Sequence, residues 1–363
     1  MSDVVNCRTS VLGGHRLKCD NDGCGREEFS YNSCRNRHCP KCQFLAQAKW
    51  VDQRNAELLP VEYFHVVFTV PHELNEIIWT NKKIGFDILF RAMSETLKEV
   101  AERRLKAKVG FTAVLHTWSQ TLHSHAHIHA IVPGGGLSLD GKSWISAPSG
   151  YFLPIKVLSK VFRGKYLSYL EAAYGDLKVA DSDHAGAKGV DQFKKILIEA
   201  SKKEWVVYAK APFAGPKQVL EYLGNYTHRI AISNYRIQDI EDGHVTFKYK
   251  DRKAGNETKL MRLPAQEFTR RFLSHVLPNK FVRIRHFGFL GSRNKQKNIA
   301  VARRCLGVRN DNPGALKTED YKQLLKRLVG VDVSRCPCCK TGSMIEVERI
   351  LPHRNLRLRR DTS

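Results

Sequence analysis

Apolar and polar residues follow two different periods along the chain, and the switches between them mark its elements. The stretch Tyr63-Phe-His-Val-Val-Phe-Thr-Val70 is rich in aromatic and β-branched residues and ends at Pro71, which predicts a strand over Glu62–Val70. A helix is predicted before it, near Cys42–Leu59 and stopped by Pro60. A second is predicted after it, where Glu73–Lys106 carries apolar residues at helical spacing and Gly110 closes the run. Phe111–Trp118 reads as a second strand, followed at once by a third over residues 123–132. Further on, Trp205–Lys210 predicts a strand and Pro216–Asn225 a helix. Tyr235–Asp239 and His244–Lys250 predict a hairpin across Glu241-Asp-Gly243. The tail from about residue 296 reads as helical and basic, broken at Asp311-Asn-Pro-Gly314. This order predicts an α+β fold, an antiparallel sheet with helices on one face.

The third strand carries the most informative pattern. His123, His125, His127 and His129 occupy alternate positions, so His125, His127 and His129 project from one face. Ala126, Ile128, Ala130 and Val132 face the other way, into a core, and Pro133-Gly-Gly-Gly136 ends the run. Imidazoles two residues apart on one strand face can converge on a single metal ion, and an apolar backing holds that strand still. An isolated His-x-His is usually a surface pair. Several in register against a buried face predict a metal site.

Charge indicates what such a metal acts upon. Lys and Arg number 60 against 36 Asp and Glu, a formal net charge of +24. That excess is costly in self-repulsion and predicts a polyanionic partner. The basic residues are spread along the chain, densest at Arg283–Lys297 and Arg354–Arg360, as for a wide nucleic-acid surface. Arg283, Arg285 and His286, interleaved with Phe287, are the candidate contacts to phosphates and stacked bases. No apolar run has the length of a membrane span, and the first residues lack the order of a signal peptide, so no membrane partner is expected.

Six of the ten cysteines, Cys7, Cys19, Cys24, Cys34, Cys39 and Cys42, cluster near the N-terminus. In a reducing compartment such a cluster means metal before disulfides. The expected zinc site combines Cys19 and Cys24 with Cys39 and Cys42; Cys34, His38 and His15 are substitutes or parts of a second site. Cys336 and Cys339 form a half-site that no partner pair follows. One motif is set aside. Gly136–Ser143 satisfies the phosphate-loop pattern, but the residues leading to Pro148 cannot start the helix such a loop requires. Leu137–Ile145 instead predicts a hairpin turning at Asp140-Gly141, and no nucleotide cofactor is expected.

Phosphodiester chemistry also needs a nucleophile. Tyr222 and Tyr226 stand four apart, which on a helix points both hydroxyls the same way, and His228 and Arg229 place positive charge beside them. The competing reading is an apolar stripe of Val219, Tyr222, Leu223 and Tyr226. Cys19…Cys24-Gly25, Tyr31-Asn-Ser-Cys34-Arg-Asn-Arg-His38-Cys39-Pro-Lys-Cys42-Gln43, Leu115-His-Thr-Trp118, His125-Ala-His-Ile-His129, Pro133-Gly-Gly-Gly136 and Tyr222-Leu-Gly-Asn-Tyr226-Thr-His-Arg-Ile-Ala-Ile-Ser-Asn234 occur in this order. Together they resemble the two-tyrosine HUH transposases of bacterial rolling-circle insertion sequences, the IS-ninety-one family.

The resemblance implies a zinc-binding domain over residues 1–58 and an HUH endonuclease domain over 59–295, with a ferredoxin-like or RNA-recognition-like core. A basic C-terminal region, 296–363, would follow. It places the histidine–hydrophobic–histidine motif on His127-Ile128-His129, with the third ligand open between His125 and His116. It implies Mg²⁺ or Mn²⁺ at the histidines, structural Zn²⁺ at the cysteines, and Tyr222 and Tyr226 as nucleophiles forming a 5′-phosphotyrosine link to single-stranded DNA. Arg229 and Asn234, beside the tyrosines, join the candidate DNA contacts. A bacterial cytoplasmic, nucleoid-associated protein is implied. The same chemistry would suit a plasmid replication initiator or a relaxase; a zinc-dependent DNA-binding protein without catalysis is the alternative from another class.

Overall fold

The structure is a computed structural model that describes residues 2–39, 41–178, 187–210, 218, 220–221, 224, 231–251, 254–308 and 319–352. The chain divides into two compact units, Glu57–Asp311 and a second made from both ends, Met1–Ala56 with Asn312–Ser363. The first division lies beside the boundary expected at residue 58, and the second lies beyond the one expected at residue 295. The C-terminal region is not one piece, because helix Lys295–Cys305 belongs to the middle unit while the chain beyond Asn312 returns to the N-terminal segment.

The middle unit is built around five strands. β1 (Tyr63–Thr69) leads through helix α1 (Lys82–Leu105) to β2 (Gly110–Trp118) and β3 (Ser124–Pro133). Helices α2 (Ile155–Ala172) and α3 (Ala187–Lys202) then lead to β4 (Val207–Lys210). Three strands follow, β5 (Ile237–Glu241), β6 (His244–Asp251) and β7 (Glu257–Pro264), then α4 (Ala265–Ser274), β8 (Ile284–Gly288) and α5 (Lys295–Cys305). The main sheet has the order β8-β2-β3-β1-β4, antiparallel throughout. Without its edge strand β8, this is the strand–helix–strand–strand–helix–strand arrangement of ferredoxin-like and RNA-recognition-like sheets.

Alternation along the strands fixes which face is buried. Phe64, Val66 and Phe68 of β1 join Phe111, Ala113 and Leu115 of β2 and Ala126, Ile128, Ala130 and Val132 of β3 in one core with the helices. α1 contributes Phe86, Leu89, Phe90, Met93 and Leu97, and α2 contributes Leu158, Phe162, Tyr166 and Leu170. Both sets recur at the three-to-four spacing that puts side chains on one helix face. The single helix expected over Glu73–Lys106 is interrupted. Asn81, between Asn75–Thr80 and α1, is buried, and its side chain exchanges hydrogen bonds with the backbone of Lys178 at 3.0 and 2.7 Å. The predicted hairpin is present as β5 and β6, with Asp242 and Gly243 in left-handed conformations at its turn. Residues Gly135–Ser138 and Trp144–Ser146 likewise pair across the Asp140-Gly141 turn, so the phosphate-loop match is a hairpin.

The unit made from the chain ends has a three-stranded antiparallel sheet. Gly14–Cys19 lies between Glu27–Tyr31 and Met344–Ile350, and none of these three strands was predicted. Arg16 in the central strand reaches both neighbours, 3.1 Å to Glu27 and 2.8 Å to Glu348. Helix Gln43–Ala56 and helix Tyr321–Val329 belong to the same unit and are tied by Arg327 to Asp52 at 2.6 Å. No helix among the described residues is long and apolar enough to cross a membrane.

Phe162 tests the core. It is fully buried, with its ring 5.0 Å from that of Phe68 and 5.2 Å from that of Trp205. Replacing Phe162 with Ala should cost roughly 3–5 kcal/mol. Urea unfolding followed by tryptophan fluorescence checks this, and a change under about 1 kcal/mol would contradict the packing.

Candidate active site

The sheet face away from the helices carries the histidines. The register pairs His116 of β2 with His127 of β3, and His129 lies opposite Val67 of β1. His116, His127 and His129 each offer a ring nitrogen, and these atoms all lie within 4.8 Å of one another. Of the two candidates for third partner, His116 joins this group; His125 stands beside it, its ring 4.8 Å from that of His127. The His127 ring is oriented by its Nδ1, 2.8 Å from the His125 carbonyl oxygen. Such a bond sets the tautomer and leaves Nε2 to face a ligand.

His65 of β1 was not anticipated. Its Nε2 lies 2.6 Å from Nδ1 of His129, with the two rings stacked at 4.9 Å. It orients His129 as the His125 carbonyl orients His127. The signal was a histidine at a non-core position of an otherwise apolar strand, one strand away from the motif. Burial favours the neutral form of His65 and His116. It pushes His65 down to about 4 and His116 well below the ordinary histidine range, the latter helped by the charges of His127 and Arg283. Neutral imidazole is the form that binds metal. The donor set and its tautomer control therefore fit a divalent ion.

A cavity of about 850 Å³ opens over the histidines, also lined by Trp118, Tyr208 and Tyr249. These are aromatic faces of the kind on which unpaired bases stack. The ring of Trp118 is stacked on His116 at 5.1 Å, and the Arg283 guanidinium lies 5.9 Å from the Trp118 ring. Tyr222, Tyr226 and Arg229 lie outside the described residues. In the same segment Gln218, Leu220, Glu221 and Gly224 are helical. Asn234 opens an exposed turn before β5. The basic stretch at β8 divides between the two sheet faces. His286 meets Thr112 at 2.9 Å, whereas Arg285 turns to the helices, pairs with Asp87 and lies 4.1 Å from the Phe90 ring. Arg285 thus forms an ion pair on the helix side of the sheet.

Among the described residues the cysteines form two groups. Cys7, Cys34, Cys39 and Cys42 gather in the first, and Cys19, Cys24, Cys336 and Cys339 in the second. The expected set of Cys19, Cys24, Cys39 and Cys42 is therefore split, and Cys34 is a full member of the first group. Cys7, left unassigned, lies 3.2 Å from Cys42, sulfur to sulfur. His38 stands outside both groups, its Nδ1 3.2 Å from Asn36, and His15 pairs with Glu346 at 2.9 Å.

Buried neutral histidines make stability depend on pH. His275, buried beneath β2 with its ring bonded to Leu122 and Thr117, is pushed to about 4 by burial, as is His65. The unfolded chain takes up these protons near 6.5, and the folded chain refuses them until about 4. Stability is thus present above 6.5 and is lost as pH falls through that window. Thermal melting of metal-free protein should show a falling midpoint between pH 7 and pH 4, less steep in His275→Gln. A midpoint that is flat or rises on acidification would contradict this.

Comparison with known proteins gives these sites a context. Residues 110–298 match a family model described as "Putative transposase", and residues 1–70 match one described as "Transposase zinc-binding domain". The "Putative transposase y4qJ" of Sinorhizobium fredii (strain NBRC 101917 / NGR234) is 47% identical over 96% of this chain and 88% of its own length. The "Transposase for insertion sequence element IS801" of Pseudomonas savastanoi pv. phaseolicola is 25% identical over 93% of this chain and 80% of its own. Among solved structures, a conjugative relaxase TrwC bound to OriT DNA is matched over 45% of this chain and 71% of that one. Its identity of 11% and TM-score of 0.25 are too low to bear on function. The chain belongs to the IS-ninety-one family of insertion-sequence transposases, with a transposase zinc-binding domain at its N-terminus.

Proposed function

We propose that this transposase nicks and rejoins single-stranded DNA at the ends of its insertion sequence through a 5′-phosphotyrosine intermediate. The observation that carries the reading is the convergence of His116, His127 and His129 at the floor of an open cavity. These residues would hold Mg²⁺ or Mn²⁺, and the chemistry such an ion supplies is withdrawal of charge from a non-bridging phosphate oxygen. Zinc at Cys7, Cys34, Cys39 and Cys42 would fold the N-terminal segment.

The protein's own groups divide the remaining work. His65 and the His125 carbonyl fix the ring orientations of His129 and His127, so the ligands need no rearrangement when DNA arrives. Trp118, Tyr208 and Tyr249 offer stacking surfaces to the bases that flank the scissile phosphate, and the surrounding positive charge holds the backbone. Tyr222 or Tyr226 attacks phosphorus through its phenol oxygen. One Tyr–O–P bond forms, the P–O3′ bond breaks, and the departing oxygen becomes a 3′-hydroxyl as the phenol gives up its proton. The ester is exchanged and not hydrolysed, so the reverse attack by another 3′-hydroxyl joins strands without a nucleotide cofactor. Two tyrosines let one hold a cleaved end while the other acts on a second site.

The test is adduct formation on single-stranded oligonucleotides of the element's ends, with Mg²⁺ or Mn²⁺. His127→Ala or His129→Ala should reduce cleavage to background while leaving DNA affinity within a few-fold. Each Tyr→Phe change keeps the ring and costs about 1 kcal/mol of stability or less. Tyr222→Phe with Tyr226→Phe should abolish the adduct, and each single change should abolish strand transfer. An adduct that persists in the double variant, or that maps to Tyr208 or Tyr249, would overturn the tyrosine assignment. DNA binding with no linkage in the wild type would favour a non-catalytic DNA-binding role.

A further inference from the structure

The second thiol group joins residues from opposite ends of the sequence. Cys19 and Cys24 flank the turn that links strands Gly14–Cys19 and Glu27–Tyr31. Cys336 and Cys339 come from the turn that precedes Met344–Ile350, the strand hydrogen-bonded along the other edge of Gly14–Cys19. Cys19 lies 3.7 Å from Cys339, and Cys24 lies 3.7 Å from Cys336, sulfur to sulfur. Disulfide sulfurs stand at about 2.05 Å. A tetrahedron with zinc–sulfur bonds of about 2.3 Å has edges of about 3.75 Å.

The backbone around these sulfurs is shaped for thiolates. The Asn21 amide points to Cys19 Sγ at 3.4 Å, and the Gly342 amide to Cys339 Sγ at 3.3 Å. The residues after Cys24 and Cys339, Gly25 and Lys340, adopt left-handed conformations at φ 61 and φ 59. The first group uses the same device, with Arg8 after Cys7 and Arg35 after Cys34 at φ 60 and φ 53. Non-glycine residues seldom take this conformation without a local reason. Gly342 is also constrained, since a Cβ there would come within 2.5 Å of Cys19 Sγ. Cys338, between the two C-terminal ligand positions, is exposed and belongs to neither group.

We propose that Cys19, Cys24, Cys336 and Cys339 bind a second, structural zinc ion that closes a zinc ribbon assembled from both ends of the chain. Four thiolates fill the tetrahedral shell, so the ion takes no part in the reaction at the histidines. The ribbon is two-part. The N-terminal half supplies one Cys pair and two strands, the C-terminal half supplies the other pair and the third strand, and the whole Glu57–Asp311 unit is inserted between them. The N-terminal cysteines alone therefore complete only one of the two sites, and the second closes when Cys336 and Cys339 have been made. The inference is independent of the tyrosine chemistry proposed above.

Zinc content of the full chain, purified without chelators, tests this directly. Wild type and Cys338→Ser should each carry two equivalents, and Cys336→Ser with Cys339→Ser should carry one. Cobalt loading gives a parallel readout, because the double variant should lose roughly half of the thiolate-to-metal charge-transfer absorption. Should that variant fail to fold, alkylation of the wild type decides the matter. Cys338 should react at once in zinc-loaded protein, while Cys19, Cys24, Cys336 and Cys339 should react only after zinc is stripped. One equivalent in the wild type, two in the double variant, or alkylation of Cys336 and Cys339 at the rate of Cys338 would overturn the proposal.

Discussion

The two-residue repeat of β3 is the constraint on which the rest depends. Ala126, Ile128, Ala130 and Val132 are locked against α1 and α2, and that commits His125, His127 and His129 to the opposite face. A register slip of one residue would bury imidazoles and expose the apolar set, so hydrophobic burial enforces the position of each ring. β2 is buried along its whole length, and its register with β3 delivers His116 to His127. β1 on the other side delivers His65 to His129. Three adjacent strands thus each contribute one part of the site, and the helix-side core holds all three. The geometry of the histidine cluster is a by-product of ordinary sheet packing.

A second constraint operates at the chain ends. The terminal unit has few large buried side chains, and its cluster of buried residues around the second thiol group contains Cys19, Cys336 and Met344. Arg16 ties the three strands by exposed ion pairs, each of which contributes little in water. Metal–thiolate bonds are the usual substitute where a small unit cannot bury enough apolar surface. The large core of the middle unit needs no such help.

What the sequence made legible divides along the same line. The strand pattern of Tyr63–Thr69, Gly110–Trp118 and Ser124–Pro133 and the hairpin at Asp242-Gly243 follow from local periodicity, and all are present. Features set by pairing between distant segments were not legible. The partner of the Cys336–Cys339 half-site lies at Cys19 and Cys24, ahead of it in the chain, and a search for a following pair could not find it. Arg285 reads in sequence only as basic and beside aromatics, whereas strand alternation turns it toward Asp87 and Phe90. His116 and His125 were equivalent candidates on spacing, and only the register of β2 against β3 separates them.

The central claim is that three imidazoles on adjacent strands hold one divalent ion against a DNA phosphate. Pulsed electron paramagnetic resonance of Mn²⁺-loaded protein with a single-stranded end oligonucleotide addresses it directly. Nitrogen couplings from three imidazoles and a ³¹P coupling from the bound DNA are expected, with one nitrogen lost in His116→Ala while His125→Ala keeps all three. Manganese showing only water couplings, or losing a nitrogen in His125→Ala and none in His116→Ala, would contradict the site.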